Sequence, residues 1–167
     1  NDPAIVTKLI RTANSPLFAL SKEIVSIQQA IGMLGINAVR TLVLSFSLAG
    51  AARRTSKQPG LDHYWRRSVL SAIAARELAG PAGINGDEAF ICALLQDIGI
   101  LAFTGTLGPA YARLQKSAGW DHDQLVELEQ KTYGADHVEV GAWLLERWET
   151  PKAIAQVVGA SHQPGKL

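Results

Sequence analysis

The stretch EAFICALLQDIGIL, residues 88 to 101, places the polar pair Gln96-Asp97 inside an otherwise apolar run. Its apolar residues recur at the three- and four-residue spacing of a helix that packs into a core. An acid at the end of such a helix is unfavourable beside the helix dipole unless a cation or a hydrogen-bond donor pairs with it. The pattern therefore predicts a buried helix that runs to Ile98 and a partner for Asp97 from another part of the chain.

Helical periodicity extends from this stretch in both directions, and no segment alternates polar and apolar residues as a strand does. Capping residues, together with glycine and proline stops, divide the chain into about eight helices. The predicted starts are Asp2-Pro3, the pair Ser26 and Gln29, Asn37, Asp62, Asp87, Asp121, the pair Asp136 and Glu139, and Thr150-Pro151. A loop is predicted from Arg53 to Gly60. The sequence thus predicts an all-α fold, a single compact multi-helix bundle over residues 1–167.

Composition narrows the class of protein. The chain has 167 residues, of which 47% are hydrophobic, and this suits one globular domain. A formal charge of +1 gives no long-range attraction to nucleic acid or to an acidic membrane surface. Its single cysteine, Cys92, cannot form an intramolecular disulfide. No apolar run approaches the roughly twenty residues of a membrane span, and the first residues do not resemble a signal peptide. We therefore expect a cytoplasmic protein.

Histidines are the other candidates for chemistry. The chain has four, His63, His122, His137 and His162, and they form no local metal-binding motif. The first two fall in the first turns of polar helices, where we expect them to be exposed to solvent. The last two lie beside helix ends, next to glycine or proline, where side chains can converge on a pocket. The partner of Asp97 is then either Arg67, through a charge-assisted pair, or one of these last two histidines.

Five phrases follow one another along the chain: DPAIVTKLIRTANSPLF, IVSIQQAIGMLGINAVRTLVL, YWRRSVLSA, EAFICALLQDIGIL and GADHVEVGAWLLERWETPKAIAQVVGASHQP. In this order they resemble the HDOD domain, a helical output or sensory module of bacterial signalling proteins that is related to the HD phosphohydrolases. Together they cover nearly the whole chain. The resemblance implies a bundle related to the HD-domain fold. Since the family's opening usually includes further helices, we also expect residues 1–167 to lack the N-terminal helices of the domain.

The resemblance also identifies positions where this chain departs from the HD hydrolases, in which histidines and aspartates hold metal ions that activate water. Arg67 stands where an early histidine is expected, Gln96 replaces the histidine of the His-Asp pair, and Ser161 replaces a later histidine. Of the ligand set, Asp97, His137 and His162 remain. An amide is a poor ligand and a guanidinium repels a cation, so the resemblance implies a site without catalysis, metal or cofactor.

The substitutions suggest a degenerate pocket in which hydrogen bonds replace the metal. Its members are Arg67, Gln96, Asp97, His137 and His162. The function implied is a non-catalytic signalling module that acts through contacts with a partner protein or with an attached receiver, diguanylate-cyclase or phosphodiesterase domain.

Two alternatives stay open. One is a residual phosphohydrolase or nucleotide-binding pocket in which Arg67 binds phosphate. The other is a nucleic-acid-binding regulator that uses the cluster Arg40, Arg53, Arg54 and Lys57, although a solvated surface explains that cluster more simply.

Overall fold

A computed structural model describes residues 6–7, 9–10, 13–14, 23–36, 39–40, 42–43, 60–119, 121–163 and 165. The chain divides into two compact units, Asn1–Gly50 and Ala51–Leu167. Several predicted features, namely the start at Asp2-Pro3, the start at Asn37 and nearly all of the loop from Arg53 to Gly60, lie outside the described residues.

In the first unit, helix α1 spans Ile27–Leu34. The Ser26 hydroxyl caps it by accepting a hydrogen bond from the Gln29 N–H at 3.2 Å. Gly35 ends the helix with φ of 82°, a value that costs a residue with a Cβ atom. Before this helix, Asn14 pairs with the backbone of Ile24, to which it donates and from which it accepts hydrogen bonds of 2.6 Å. The predicted start and end of α1 are therefore confirmed.

The second unit carries the remaining described helices: α2 Gly60–Ala79, α3 Gly86–Leu95, α4 Ile98–Leu107, α5 Pro109–Ser117, α6 His122–Tyr133, α7 His137–Arg147 and α8 Lys152–Gly159. Among the described residues there is no strand, and the predicted all-α class is confirmed. Asp121 caps α6 as predicted, and Asp136 and Glu139 form the predicted capping box of α7. Helix α5 was not predicted.

Two predicted helix starts are wrong. Helix α2 begins at Gly60, so Asp62 lies within its first turn and not at the position that precedes the helix. Helix α3 is capped by Asn85, whose side-chain oxygen accepts hydrogen bonds from the N–H groups of Asp87 at 2.9 Å and Glu88 at 3.3 Å. An asparagine in extended conformation satisfies two otherwise unpaired N–H groups, and the acids that follow are then favourable in the first turn.

The predicted helix through residues 88 to 98 is also wrong in one respect, because it breaks at the polar pair. Helix α3 ends at Leu95 and α4 begins at Ile98, with Asp97 at the N-terminal boundary of α4. The acid therefore lies at the end of α4 where the helix dipole favours a negative charge, although its side chain makes no capping hydrogen bond. Asp97 thus lies at the junction between the end of α3 and the start of α4.

Together α3 and α4 form the 22-residue stretch Gly86–Leu107, which contains an 18-residue window of mean hydropathy 1.7 and is by length and composition apolar enough to cross a membrane. The expectation that no apolar run approaches the length of a membrane span is therefore wrong. Half of that window is buried inside the structure.

Helices α4 and α7 approach each other closely enough to bring their backbones into contact. A Cβ atom added at Gly99 would lie 2.0 Å from the carbonyl oxygen of His137 and 3.0 Å from the backbone nitrogen of Gly141. Only glycine fits at such a contact. This approach sets the starts of the two helices, and with them Asp97 and His137, side by side.

Candidate functional site

Asp97 forms an ion pair with Arg67 of α2. The Arg67 Nη2 atom lies 3.1 Å from Asp97 Oδ2, and the side chains are 28% and 2% exposed. Because the acid is buried, the guanidinium supplies the cation that the sequence requires for it.

Three histidine rings face the other carboxylate oxygen, Asp97 Oδ1. The Oδ1 atom lies 3.5 Å from His162 Nε2, 3.7 Å from His137 Nε2 and 3.8 Å from His122 Nδ1. The Nε2 atoms of His137 and His162 are 3.4 Å apart. We call Asp97, His122, His137 and His162 the histidine cluster; one ligand atom of each lies within 4.8 Å of the others.

The structure brings together Arg67, Asp97, His137 and His162, as the sequence hypothesis requires. Gln96 is half-buried at the end of α3, and within the described part of the chain it forms no hydrogen bond with the histidine cluster. The prediction for His63 is confirmed, because this residue of α2 is exposed.

The prediction for His122 is wrong. Its side chain is only 19% exposed, and its ring is stacked on that of His162 with centroids 5.3 Å apart. The sequence around it is polar, but the first turn of α6 packs against the cluster and tertiary contact overrides that local signal.

Glu129, a residue that sequence reasoning missed, supports His137. Its buried Oε2 atom lies 2.6 Å from His137 Nδ1 and accepts a hydrogen bond of 2.8 Å from the His137 backbone N–H. The hydroxyl of Tyr111 donates to Oε1. A carboxylate held by these donors accepts a hydrogen bond from the Nδ1–H group of His137, and this leaves Nε2 as the ring nitrogen that faces the cluster.

Both missed residues share a signal on α6. His122, Leu125 and Glu129 are spaced i, i+3 and i+7, so they lie on one face of the helix. Leu125 and Glu129 are buried and His122 is half-buried. Because an acid and a histidine share the helix face of a buried leucine, the spacing could have predicted that His122 and Glu129 point toward the core.

Burial and charge act in opposite directions on the titrating groups. Burial raises the pKa of Asp97, but the contact with His162 and the charge of Arg67, with smaller contributions from the other rings, outweigh it and lower the pKa below its ordinary value. Burial, only partly opposed by the Asp97 charge, lowers the pKa of His122 to about 4. At neutral pH the acid is therefore charged and the His122 ring is neutral.

The resemblance to the HD hydrolases implies metal ions here, and the residues present fit that arrangement only in part. By the same resemblance, Arg67, Gln96 and Ser161 take the places of three ligands of the HD hydrolases. Two atoms of the histidine cluster, Asp97 Oδ1 and His122 Nδ1, are nevertheless buried without a hydrogen-bond partner among the described residues. Unpaired buried atoms are costly unless something binds them, so the cluster fits one ion with a different donor set.

A small cleft adjoins the cluster. Its volume is about 20 Å³, and it is lined by His63, Tyr64, Arg67, Asp97, Ile100, Gln115, His122 and Leu125. That volume holds about one water molecule, whereas pockets for nucleotide-sized ligands measure about 300–1,000 Å³. Of the predicted basic cluster, Arg40 is exposed and the other three residues lie outside the described residues.

Known proteins similar to this chain are themselves longer. A Treponema pallidum protein named only as uncharacterized is 23% identical over 163 residues, which are 96% of this chain and 31% of that protein. A solved structure of a Shewanella amazonensis SB2B protein with a provisional phosphohydrolase name is 28% identical with a TM-score of 0.69, over 99% of this chain and 59% of that one. The chain thus spans about a third of the first relative and less than two thirds of the second.

Two further solved structures share the fold. The MmoQ response regulator of Methylococcus capsulatus is 27% identical with a TM-score of 0.58, over 97% of this chain and 64% of that one. An HDOD domain protein of unknown function from Geobacter sulfurreducens has a TM-score of 0.71 at 22% identity, over 99% of this chain and 56% of that one. The HDOD domain family itself matches residues 1–164. With this match over nearly all of its length, the chain belongs to the HDOD family.

Proposed function

We propose that this HDOD domain is a non-catalytic regulatory module of a bacterial signalling protein. The observation that carries the proposal is the ion pair between Arg67 and Asp97. In a metal hydrolase the corresponding acid binds an ion that activates water, whereas here one of its oxygens is already held by a guanidinium at 3.1 Å. Pairing of this kind suits a fixed structural element better than a reaction centre.

Likeness to the MmoQ response regulator supports a role in signalling. The proposed partners are an attached receiver, diguanylate-cyclase or phosphodiesterase domain, or a separate signalling protein, and the proposed location is the cytoplasm. Transmission then depends on the outer helix surfaces and on how firmly the buried cluster holds the helices.

A metal-dependent phosphohydrolase is the second candidate. The provisional name of the Shewanella protein and the convergence of three histidines on Asp97 favour it. Against it stands the cleft of about 20 Å³, which leaves little room for a phosphate ester beside the cluster.

Hydrolysis of p-nitrophenyl phosphate and bis-p-nitrophenyl phosphate, measured with Mn²⁺, Ni²⁺, Zn²⁺ or Mg²⁺, decides between these candidates. We expect rates equal to those of the metal ions alone. The matched pair is Asp97→Asn and Asp123→Asn, which alter a buried and an exposed aspartate. Metal-dependent turnover that Asp97→Asn abolishes and Asp123→Asn retains would overturn the proposal.

A further inference from the structure

We propose that His122, His137, His162 and Asp97 form a closed, four-ligand site for one divalent transition-metal ion of the zinc type. By the resemblance, the site keeps Asp97, His137 and His162 of the ligand set of the HD hydrolases. It differs from that set because it includes His122 and lacks the ligands replaced by Arg67, Gln96 and Ser161. It goes beyond the proposed regulatory function and does not require it.

Four of the six distances between ligand atoms of the cluster approach the edges of a tetrahedral site. Metal–ligand bonds of about 2.0–2.1 Å place neighbouring ligand atoms of a tetrahedron about 3.3 Å apart. The contacts between His137 and His162 and from each ring to Asp97 Oδ1 are 3.4, 3.5, 3.7 and 3.8 Å. These four distances are long for hydrogen bonds and close to the edges of such a tetrahedron. The remaining two, from His122 to the other two rings, are within 4.8 Å.

The side chains are arranged as ligands. Asp97 is 2% exposed, and its Oδ1 atom, like Nδ1 of His122, has no hydrogen-bond partner in the described part of the chain. Glu129 holds Nδ1 of His137, which leaves Nε2 to face the cluster. A carboxylate behind a histidine is the usual support of a metal ligand, because it fixes the ring and strengthens the donor nitrogen.

Charge also favours a cation despite Arg67. The carboxylates of Asp97 and Glu129 outnumber the single guanidinium of Arg67, so the acidic and basic side chains other than the rings hold one uncompensated negative charge. Arg67 binds Oδ2 and leaves Oδ1 to the ion. A divalent ion and a proton on one ring are the two occupants that can offset this charge, and the experiment distinguishes them.

Donor chemistry selects the class of ion. Three imidazoles with one carboxylate suit zinc, cobalt or nickel, whereas magnesium and calcium require oxygen ligands. Four protein ligands complete a tetrahedral shell and leave no open position for a reacting water, which is typical of structural zinc. The ion would join the junction between α3 and α4 to the starts of α6 and α7 and to the segment after α8.

Chelator-treated protein titrated with Zn²⁺, Co²⁺ and Mg²⁺ tests the site, with binding followed by calorimetry and by the visible absorption of Co²⁺. We expect one Zn²⁺ per chain, intense tetrahedral Co²⁺ absorption, a rise in Tm with Zn²⁺ and no binding of Mg²⁺. His122→Gln and His162→Gln, which alter partly exposed rings, should each weaken Zn²⁺ binding by more than about 10-fold. His63→Gln, the matched control, should bind as the parent does.

The outcomes separate this inference from the proposed function. If the parent binds no Zn²⁺, or binds it equally after both His122→Gln and His162→Gln, a proton is the occupant and the metal site is wrong, while the regulatory function stands. If Zn²⁺ binds and phosphate esters are hydrolysed, the metal site stands and the non-catalytic function is wrong. Binding without turnover supports both.

Discussion

At the scale of single residues, Asp97 uses its two oxygens for different purposes. Oδ2 pairs with Arg67, and Oδ1 is the point on which three rings converge. The first contact could be anticipated, because an acid in an apolar run needs a cation and Arg67 lies among apolar residues. The second could not, since His122 stands in a polar stretch and only the packing of α6 reveals its position.

Substitution of the ion pair tests its contribution to stability. Arg67→Ala leaves the carboxylate of Asp97 buried without its guanidinium partner, and we expect a loss of about 2 kcal/mol in the free energy of unfolding. This is below the 3–5 kcal/mol typical of fully buried pairs because Arg67 is 28% exposed. Urea-induced unfolding followed by circular dichroism gives the value.

The neighbouring Arg66→Ala provides the control, since Arg66 is exposed on the same helix. We expect it to change the unfolding midpoint little. Equal midpoints for the Arg67→Ala and Arg66→Ala variants would show that the ion pair contributes nothing measurable.

At the scale of helices, the sequence predicted that segments are helical better than it predicted the residues at which the helices begin and end. Asp121 and the box of Asp136 and Glu139 were found because their side chains act within one turn. The break between α3 and α4 was missed because apolar spacing continues across it, so periodicity alone cannot detect it. Its cause is tertiary: the chain turns where Asp97 meets its partners and where Gly99 meets the backbone of α7.

Gly99→Ala should be the most damaging conservative change in this part of the chain. The new methyl group would lie 2.0 Å from the carbonyl oxygen of His137, and backbone cannot move aside as a side chain can. We expect a loss of about 3 kcal/mol or more, at the upper end of overpacking, or failure to fold. Thermal unfolding measures it.

Gly32→Ala is the matched control, because Gly32 lies inside α1 with nothing within 4 Å of an added methyl group. It should stabilise the protein by about 0.5–1 kcal/mol. If Gly99→Ala unfolds at the same temperature as the parent, helices α4 and α7 do not meet as described.

At the scale of the whole molecule, an apolar stretch long enough to cross a membrane lies half-buried in a bundle. We expect the expressed chain to remain in the supernatant after ultracentrifugation without detergent, because Asp97 and Gly99 commit this stretch to contacts inside the protein. A chain that sediments with membranes and is released only by detergent would contradict the proposed cytoplasmic location.

The all-α class follows from periodicity summed over many residues, and this is why it was predictable although several boundaries were not. The histidine cluster is assembled from separate helices, so no local spacing reports it. The first unit contributes little to this comparison, since few of its residues are described.

The contact of Gly99 with His137 holds one side of the cluster, Asp97 and His137, more firmly than the other side, His122 and His162. The spacing between Asp97 and His137 is fixed by backbone that cannot move aside. His122 and His162 are partly exposed rings at a helix start and beyond a helix end. Any change in the size of what they enclose should therefore displace α6 and the end of α8, leaving α4 and α7 in place.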